Sequence, residues 1–267
     1  METPLHDDLL LAHRLADLAD ETSLPFHRRQ VPHHSKHDGT PVSAADIATE
    51  AAVLRKLGDE RPDDAVLTEE SGGHGAAERR WIIDPIDGTE SFLAGGRAWG
   101  THVALEVAGE VRVAVITRPC DRLRWWAVRG GGAYRSDSAT PMATGTPLRV
   151  SARSHLRHAR AGGFISVDSG ARVALSGRAT WVEDPVSIVG ALLEGSVDIV
   201  LDDGGQVWDV APRTLLVSEA GGRFCDPHGG SRLDLGGGLY TNNPLQAPVR
   251  ELLRGHRFDG PPRTVWR

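Results

Sequence analysis

Between Trp81 and Thr89 the chain carries two carboxylates three positions apart, Asp84 and Asp87, on either side of Pro85. Trp81, Ile82 and Ile83 read as a buried strand, Pro85 turns its end, and Gly88-Thr89 can open a helix. Hard cations such as Mg²⁺ take oxygen ligands from carboxylates, carbonyls and water, while a helix start attracts phosphate oxygens. A metal-phosphate site needs both features together. Further acids stand at the ends of other segments: Glu69 and Glu70 after the apolar run Ala65-Val-Leu67, Asp46 in the first turn of a helix, and Asp209 after Trp208, where another helix begins.

Each acid also has an ordinary role. Asp46 and Asp209 suit helix caps, and Asp84 and Asp87 suit turns beside Pro and Gly. Their joint occurrence favours chemistry, because acids that close several apolar segments at one sheet edge repel one another unless a cation lies among them. The other candidates are weaker. His33, His34 and His37 have a spacing that could hold Zn²⁺, but no fourth ligand is near, and they read as part of a solvated loop. Gly130 to Gly132 lack the strand-to-helix setting of a dinucleotide loop and read as a turn.

The elements that must position these residues follow from periodicity. A helix is expected over residues 7 to 22 and a polar loop or short hairpin over 27 to 40. Ser43 to Asp46 is close to a capping box and opens a helix to about Gly58. Alternating residues 99 to 107 and 110 to 117 form a hairpin, and Arg124 to Val128 adds a strand. Later come a helix from Val186 to Leu193, a strand from Ser196 to Leu201, a helix from Asp209 to Ala220 and a last helix from Pro244 to Leu253. This order has no simple βαβ rhythm, so a layered α/β or α+β sandwich is favoured over a Rossmann sheet. One domain is expected, with possible lobes over residues 1 to 148 and 149 to 267.

Composition narrows the function class. The chain has 267 residues, enough for a real core, with 36 acidic against 30 basic residues and a formal charge of −6. That balance argues against nucleic acid as partner. No apolar run approaches the ~18 to 20 residues that cross a bilayer, and Met1 to His6 show no secretory pattern. Two cysteines, Cys120 and Cys225, are too few to staple a fold. A cytoplasmic protein is expected.

Taken together, Asp84-Pro-Ile-Asp-Gly-Thr89, Glu69-Glu70, Asp46 in a Pro-Val-Ser-x-x-Asp setting, and Trp208-Asp209 followed by Glu219-Ala-Gly-Gly222 resemble the inositol monophosphatase family. The resemblance spans residues 7 to 253. It implies an αβαβα sandwich of the kind shared with fructose-1,6-bisphosphatase, two or three Mg²⁺ ions per subunit, inhibition by Li⁺ and a homodimer. It further implies that Glu69, Asp84 and the Ile86 carbonyl hold a first metal, and that Asp84, Asp87 and Asp209 hold a second. Thr89, paired with Asp46, would orient the attacking water, Glu70 would support a third metal, and the N–H groups of Gly88 and Thr89 would take the phosphate.

Substrate choice rests on departures from that pattern. Asp202 stands seven positions before Asp209, Glu183-Asp184-Pro185 precedes a helix, and Glu90 follows Thr89. Four acids at one mouth would favour an ester that also carries an amine or imidazolium. The segments from Asp7 to Asp20 and from Arg124 to Gly130 are similar to the histidinol-phosphate phosphatase branch. Histidinol phosphate is therefore the favoured substrate. Inositol 1-phosphate, a nucleoside 5′-monophosphate and an amino-sugar phosphate are the alternatives. An inactive metal-binding scaffold would have lost Thr89, Asp46 or a ligand, and all are present. A bisphosphate substrate would need a basic cluster; Arg213 and Arg223 are the nearest candidates by sequence, and neither makes one.

Overall fold

Leu11, Leu15 and Ala19 recur every four residues and are fully buried, which lays one face of helix α1 (Thr3–Ser23) on a sheet. The computed structural model describes residues 3–36, 39–137, 145–183 and 187–256. After α1, strands β1 (His33–Ser35) and β2 (Pro41–Ser43) pair antiparallel, the hairpin form of the loop expected there. His37 lies outside the described residues. Helix α2 (Ala44–Glu60) starts with a complete capping box: the Ser43 side chain accepts from Asp46 N, and the Asp46 carboxylate accepts from Ser43 N.

Then come β3 (Ala65–Thr68), β4 (Gly72–His74), β5 (Arg79–Asp87) and the short α3 (Thr89–Leu93). Strands β6 (Gly100–Val107), β7 (Glu110–Arg118), β8 (Leu123–Val128), β9 (Gly132–Asp137) and β10 (Thr146–Pro147) run as a meander. The second half holds β11 (Arg160–Phe164), α4 (Gly170–Ser176), β12 (Thr180–Trp181), α5 (Ile188–Leu193) and β13 (Ile199–Asp202). It closes with α6 (Val207–Glu219), β14 (Gly222–Cys225), β15 (Gly238–Asn242) and α7 (Gln246–Leu252).

An eight-stranded sheet runs β10-β9-β8-β7-β6-β5-β3-β4, antiparallel except where β3 meets β5. A five-stranded sheet runs β12-β11-β13-β15-β14. Strand alternation assigns the layers. On β5, Trp81 and Ile83 join the core that holds Leu11 and Leu15 of α1 and Val53 and Leu57 of α2. Ile82 faces the other way, into a core shared with Leu192 of α5, Leu215 of α6, Val200 of β13 and Tyr240 of β15. Ile199 and Leu201 point to the far side of the small sheet, toward Leu175 of α4 and Val249 of α7. The order is α1/α2, large sheet, α5/α6, small sheet, α4/α7, an αβαβα sandwich.

Helix α6 begins at Val207, not at Asp209, because Gln206 is its cap and Asp209 closes a capping box with it. The last helix is split, a 3₁₀ turn at Asn243–Leu245 leading into α7. The two sheets divide between Pro147 and Arg160, yet α6 from the second half packs on both. Leu215, fully buried in that shared layer, tests the arrangement. Leu215→Ala is expected to cost about 2–5 kcal/mol in urea unfolding. Val173→Ala, at a position 61% exposed on α4, should stay within about 0.5 kcal/mol of the parent.

Candidate active site

In an unbroken strand, residues three apart face opposite sides. Asp84 pairs with His102 and Asp87 with Gly100, so three steps along β5 match two along β6. That bulge returns both carboxylates to one side of the sheet. Asp84 Oδ1 accepts from Ile86 N at 3.0 Å, and Thr101 Oγ1 donates to the Pro85 carbonyl at 2.9 Å, which braces the turn. Gly88 follows at φ +87, and a Cβ there would lie 2.5 Å from the Ala98 carbonyl oxygen, so only glycine fits. Ile86, Phe92 and Trp99 pack with Ala45 beneath the turn.

Asp209 arrives from α6, its Oδ2 accepting from Gln206 N at 2.7 Å. Ligand atoms of Asp84, Asp87, His102 and Asp209 all lie within 4.8 Å of one another. His102 is new relative to the sequence reading; only the register of β6 against β5 could have pointed to it. Thr89 Oγ1 is 3.3 Å from Asp46 Oδ1 and 3.2 Å from the Ile86 carbonyl. Lys36, from the β1–β2 hairpin, reaches Glu69 at 2.9 Å and Glu70 at 2.8 Å.

The charges are strongly perturbed. Burial, then repulsion from Glu69, Asp87 and Asp209, pushes Asp84 well above the usual carboxylate range. Burial raises Asp209, Glu69 and Asp46 as well, against Arg213 beside the first and Lys36 beside the other two. Glu70 rises to about 7 through burial and the neighbouring Glu69. Asp87 goes the other way: burial opposes its charge, but positive charge on His102 at low pH, and on Arg213 and Arg118 throughout, outweighs that. Burial also lowers His102 to about 3, leaving it neutral near pH 7. A dense set of oxygen donors whose ionisation is opposed by mutual repulsion suits a hard divalent cation.

These groups open on a cavity of about 1080 Å³ that includes Lys36, Glu69, Glu70, Gly88, Thr89 and Glu90. Its apolar wall holds Ile47 and Leu54 of α2 and Phe164 of β11. The expected acidic mouth is corrected here. Asp202 is buried: Gly204 and Gly205 donate their N–H groups to it, and Arg213 pairs with it at 3.1 Å, so it does not line the cavity. The Glu183 side chain is 72% exposed and pairs with Arg172, away from the cavity lining. Asp184 lies outside the described residues. Glu90 is the one of the four acids found on the lining. His34 also lines the cavity, whereas His33 turns to the Val31 carbonyl at 3.1 Å. The pair does not converge as zinc ligands would.

Carboxylates raised in the folded state contribute stability that is present below their unfolded pKa and lost as pH rises through the folded values. Without divalent cations, thermal stability should therefore fall between about pH 5 and about pH 8, the Glu70 share of that loss levelling off at its folded value of about 7. Adding Mg²⁺ should raise Tm far more at the upper end than at the lower. Differential scanning calorimetry at both pH values checks this, and equal Mg²⁺ shifts would contradict it.

The inositol monophosphatase family model matches residues 15–254. A Streptomyces griseus protein named glucose-1-phosphate thymidylyltransferase is 52% identical over 250 residues, covering 92% of this chain and 96% of that protein. A histidinol-phosphatase from Mycobacterium tuberculosis is 40% identical over 253 residues, covering 88% of this chain and 95% of its own. The transferase name stands apart from the others, and the family match carries the assignment. Among solved structures, an inositol monophosphatase from Anabaena (Nostoc) superposes with a TM-score of 0.80 at 26% identity, covering 99% of this chain and 100% of that one. The chain belongs to the inositol monophosphatase family, metal-dependent phosphoric monoester hydrolases that act on small phosphorylated substrates.

Proposed function

We propose that the chain hydrolyses a small phosphate monoester with Mg²⁺, and that its favoured substrate is L-histidinol phosphate. The observation that carries the hydrolysis is the cluster of buried Asp84 with half-buried Asp87 and Asp209, whose ligand atoms lie within 4.8 Å. In this reading Glu69, Asp84 and the Ile86 carbonyl hold a first Mg²⁺, and Asp84, Asp87 and Asp209 hold a second. Glu70 supports a third, in competition with Lys36. Bound there, the ions supply an activated water and offset the charge of the departing alkoxide.

The protein's own share is positioning. Thr89 Oγ1, between Asp46 and the Ile86 carbonyl, orients the attacking water for in-line displacement. Asp46, whose carboxyl burial raises above its usual range, accepts from that hydroxyl at 3.3 Å and is the nearest group to share the proton. Gly88 and Thr89 offer backbone N–H groups to the phosphate oxygens. The covalent chemistry needs no enzyme nucleophile.

Histidinol phosphate is supported by the 40% identity to the Mycobacterium tuberculosis histidinol-phosphatase. The cavity offers it Glu90 for the amine and an apolar wall at Ile47, Leu54 and Phe164 for the imidazole. The same reading makes the protein a cytoplasmic, Li⁺-sensitive homodimer, and the unpaired Cys120 and Cys225 fit a reducing compartment. Inositol 1-phosphate, nucleoside 5′-monophosphates and amino-sugar phosphates are the competing esters.

Phosphate release with Mg²⁺ across those esters should show kcat/KM for histidinol phosphate at least ~10-fold above inositol 1-phosphate, as one well-placed charge contact of ~1.4 kcal/mol provides. Equal values would sink the cationic-substrate reading. Thr89→Ala should lower kcat by about 10²–10⁴-fold while the Mg²⁺ dependence is kept. Asp209→Asn should lose nearly all turnover at saturating Mg²⁺; parent-like rates would remove the two-metal assignment.

A further inference from the structure

Helix α6 delivers Arg213 one turn after Asp209, and its side chain is 5% exposed. One guanidinium nitrogen lies 3.2 Å from Asp87 Oδ1 and 3.8 Å from Asp209 Oδ1, and the other is 3.1 Å from Asp202 Oδ2. The group is held from three sides. Asp202 is fixed in turn by the N–H groups of Gly204 and Gly205, and the Phe164 ring lies 4.8 Å from the guanidinium carbon. A guanidinium does not deprotonate in proteins, so this charge is permanent.

We propose that Arg213 is a built-in cation of the second-metal position, which keeps Asp87 and Asp209 ordered without metal and weakens the divalent ion they bind. The inference rests on the assignment of Asp87 and Asp209 as ligands made above. The two carboxylates must be shared between a fixed positive charge and an incoming dication, and both cations repel each other at short range in a poorly screened interior. Asp202 holds the guanidinium in place from the far side, so the charge cannot swing away when the ion arrives. Its loss from the substrate mouth and its role here have the same cause. Arg213 is thus a positioning residue that sets how much Mg²⁺ the enzyme needs.

The test is Mn²⁺ binding to the full chain, followed by electron paramagnetic resonance of the free ion and by calorimetry, with no ester present. Removing Arg213 alone would leave Asp202 buried and unpaired, so the variants are Asp202→Asn/Arg213→Gln and Asp202→Asn/Arg213→Met, two neutral pairs in case one does not fold. The Mn²⁺ affinity that Asp209→Asn removes should tighten by about tenfold or more in either pair. Asp202→Asn alone and Arg213→Lys, which keep the positive charge, should stay nearer the parent. No change of that affinity in the neutral pairs, or equal tightening in Arg213→Lys, overturns the proposal. Failure of the parent to bind Mn²⁺ and to release phosphate from any ester would instead defeat the function on which it rests.

Discussion

Like-charge repulsion among Asp84, Asp87 and Asp209 is the constraint around which the site is built. Three carboxylates with ligand atoms within 4.8 Å, one buried and two half-buried, oppose folding unless positive charge is near. The protein answers in two ways. Arg213 and Arg118 stand beside Asp87, holding it ionised, while Asp84 and Asp209 are left to rise. Lys36 pairs with Glu69 and Glu70 and offsets only part of the burial that raises both. The remaining deficit of positive charge leaves a cluster that could hold a metal ion, as a metal-dependent phosphatase requires.

Holding such a cluster demands a stiff frame, and the layers supply one. The bulge at Asp84 to Asp87 is tied by Thr101 to the Pro85 carbonyl; the same hydroxyl lies 3.3 Å from Asp20 of α1, which also accepts from Thr117 at 2.7 Å. Asp20, raised to about 7 by its burial, makes this a polar seam between the outer helix layer and the metal loop. On the inner side, α6 is clamped between two sheets, so Asp209 and Arg213 cannot drift from β5. Capping boxes on α2 and α6 place Asp46 and Asp209 at the third residue of each helix, where each satisfies a backbone donor and still borders the site.

The acids of the turn at the end of β5 are legible because turn chemistry and strand ends are local: Pro85, Gly88 and the apolar run before them are adjacent in the chain. Helices α1 and α2 and the 99 to 117 hairpin were legible for the same reason, since their periods are read within a dozen residues. Asp202 was misplaced because its partner, Arg213, is eleven residues on and meets it only when β13 and α6 pack. Glu183 was misplaced because Arg172, across α4, takes its charge. His102 stayed hidden because its place opposite Asp84 depends on strand register.

The sequence by itself determined the local chemistry: which residues end strands in carboxylates, where glycine is obligatory, and which family pattern they compose. Only the tertiary structure decided which charges share a site. Burial and distance set whether an acid faces a substrate or a guanidinium, and both arise from contacts between segments far apart in the chain. Glu90 therefore keeps its place on the cavity, Asp202 becomes the anchor of Arg213, and Ile47, Leu54 and Phe164 give the cavity an apolar wall.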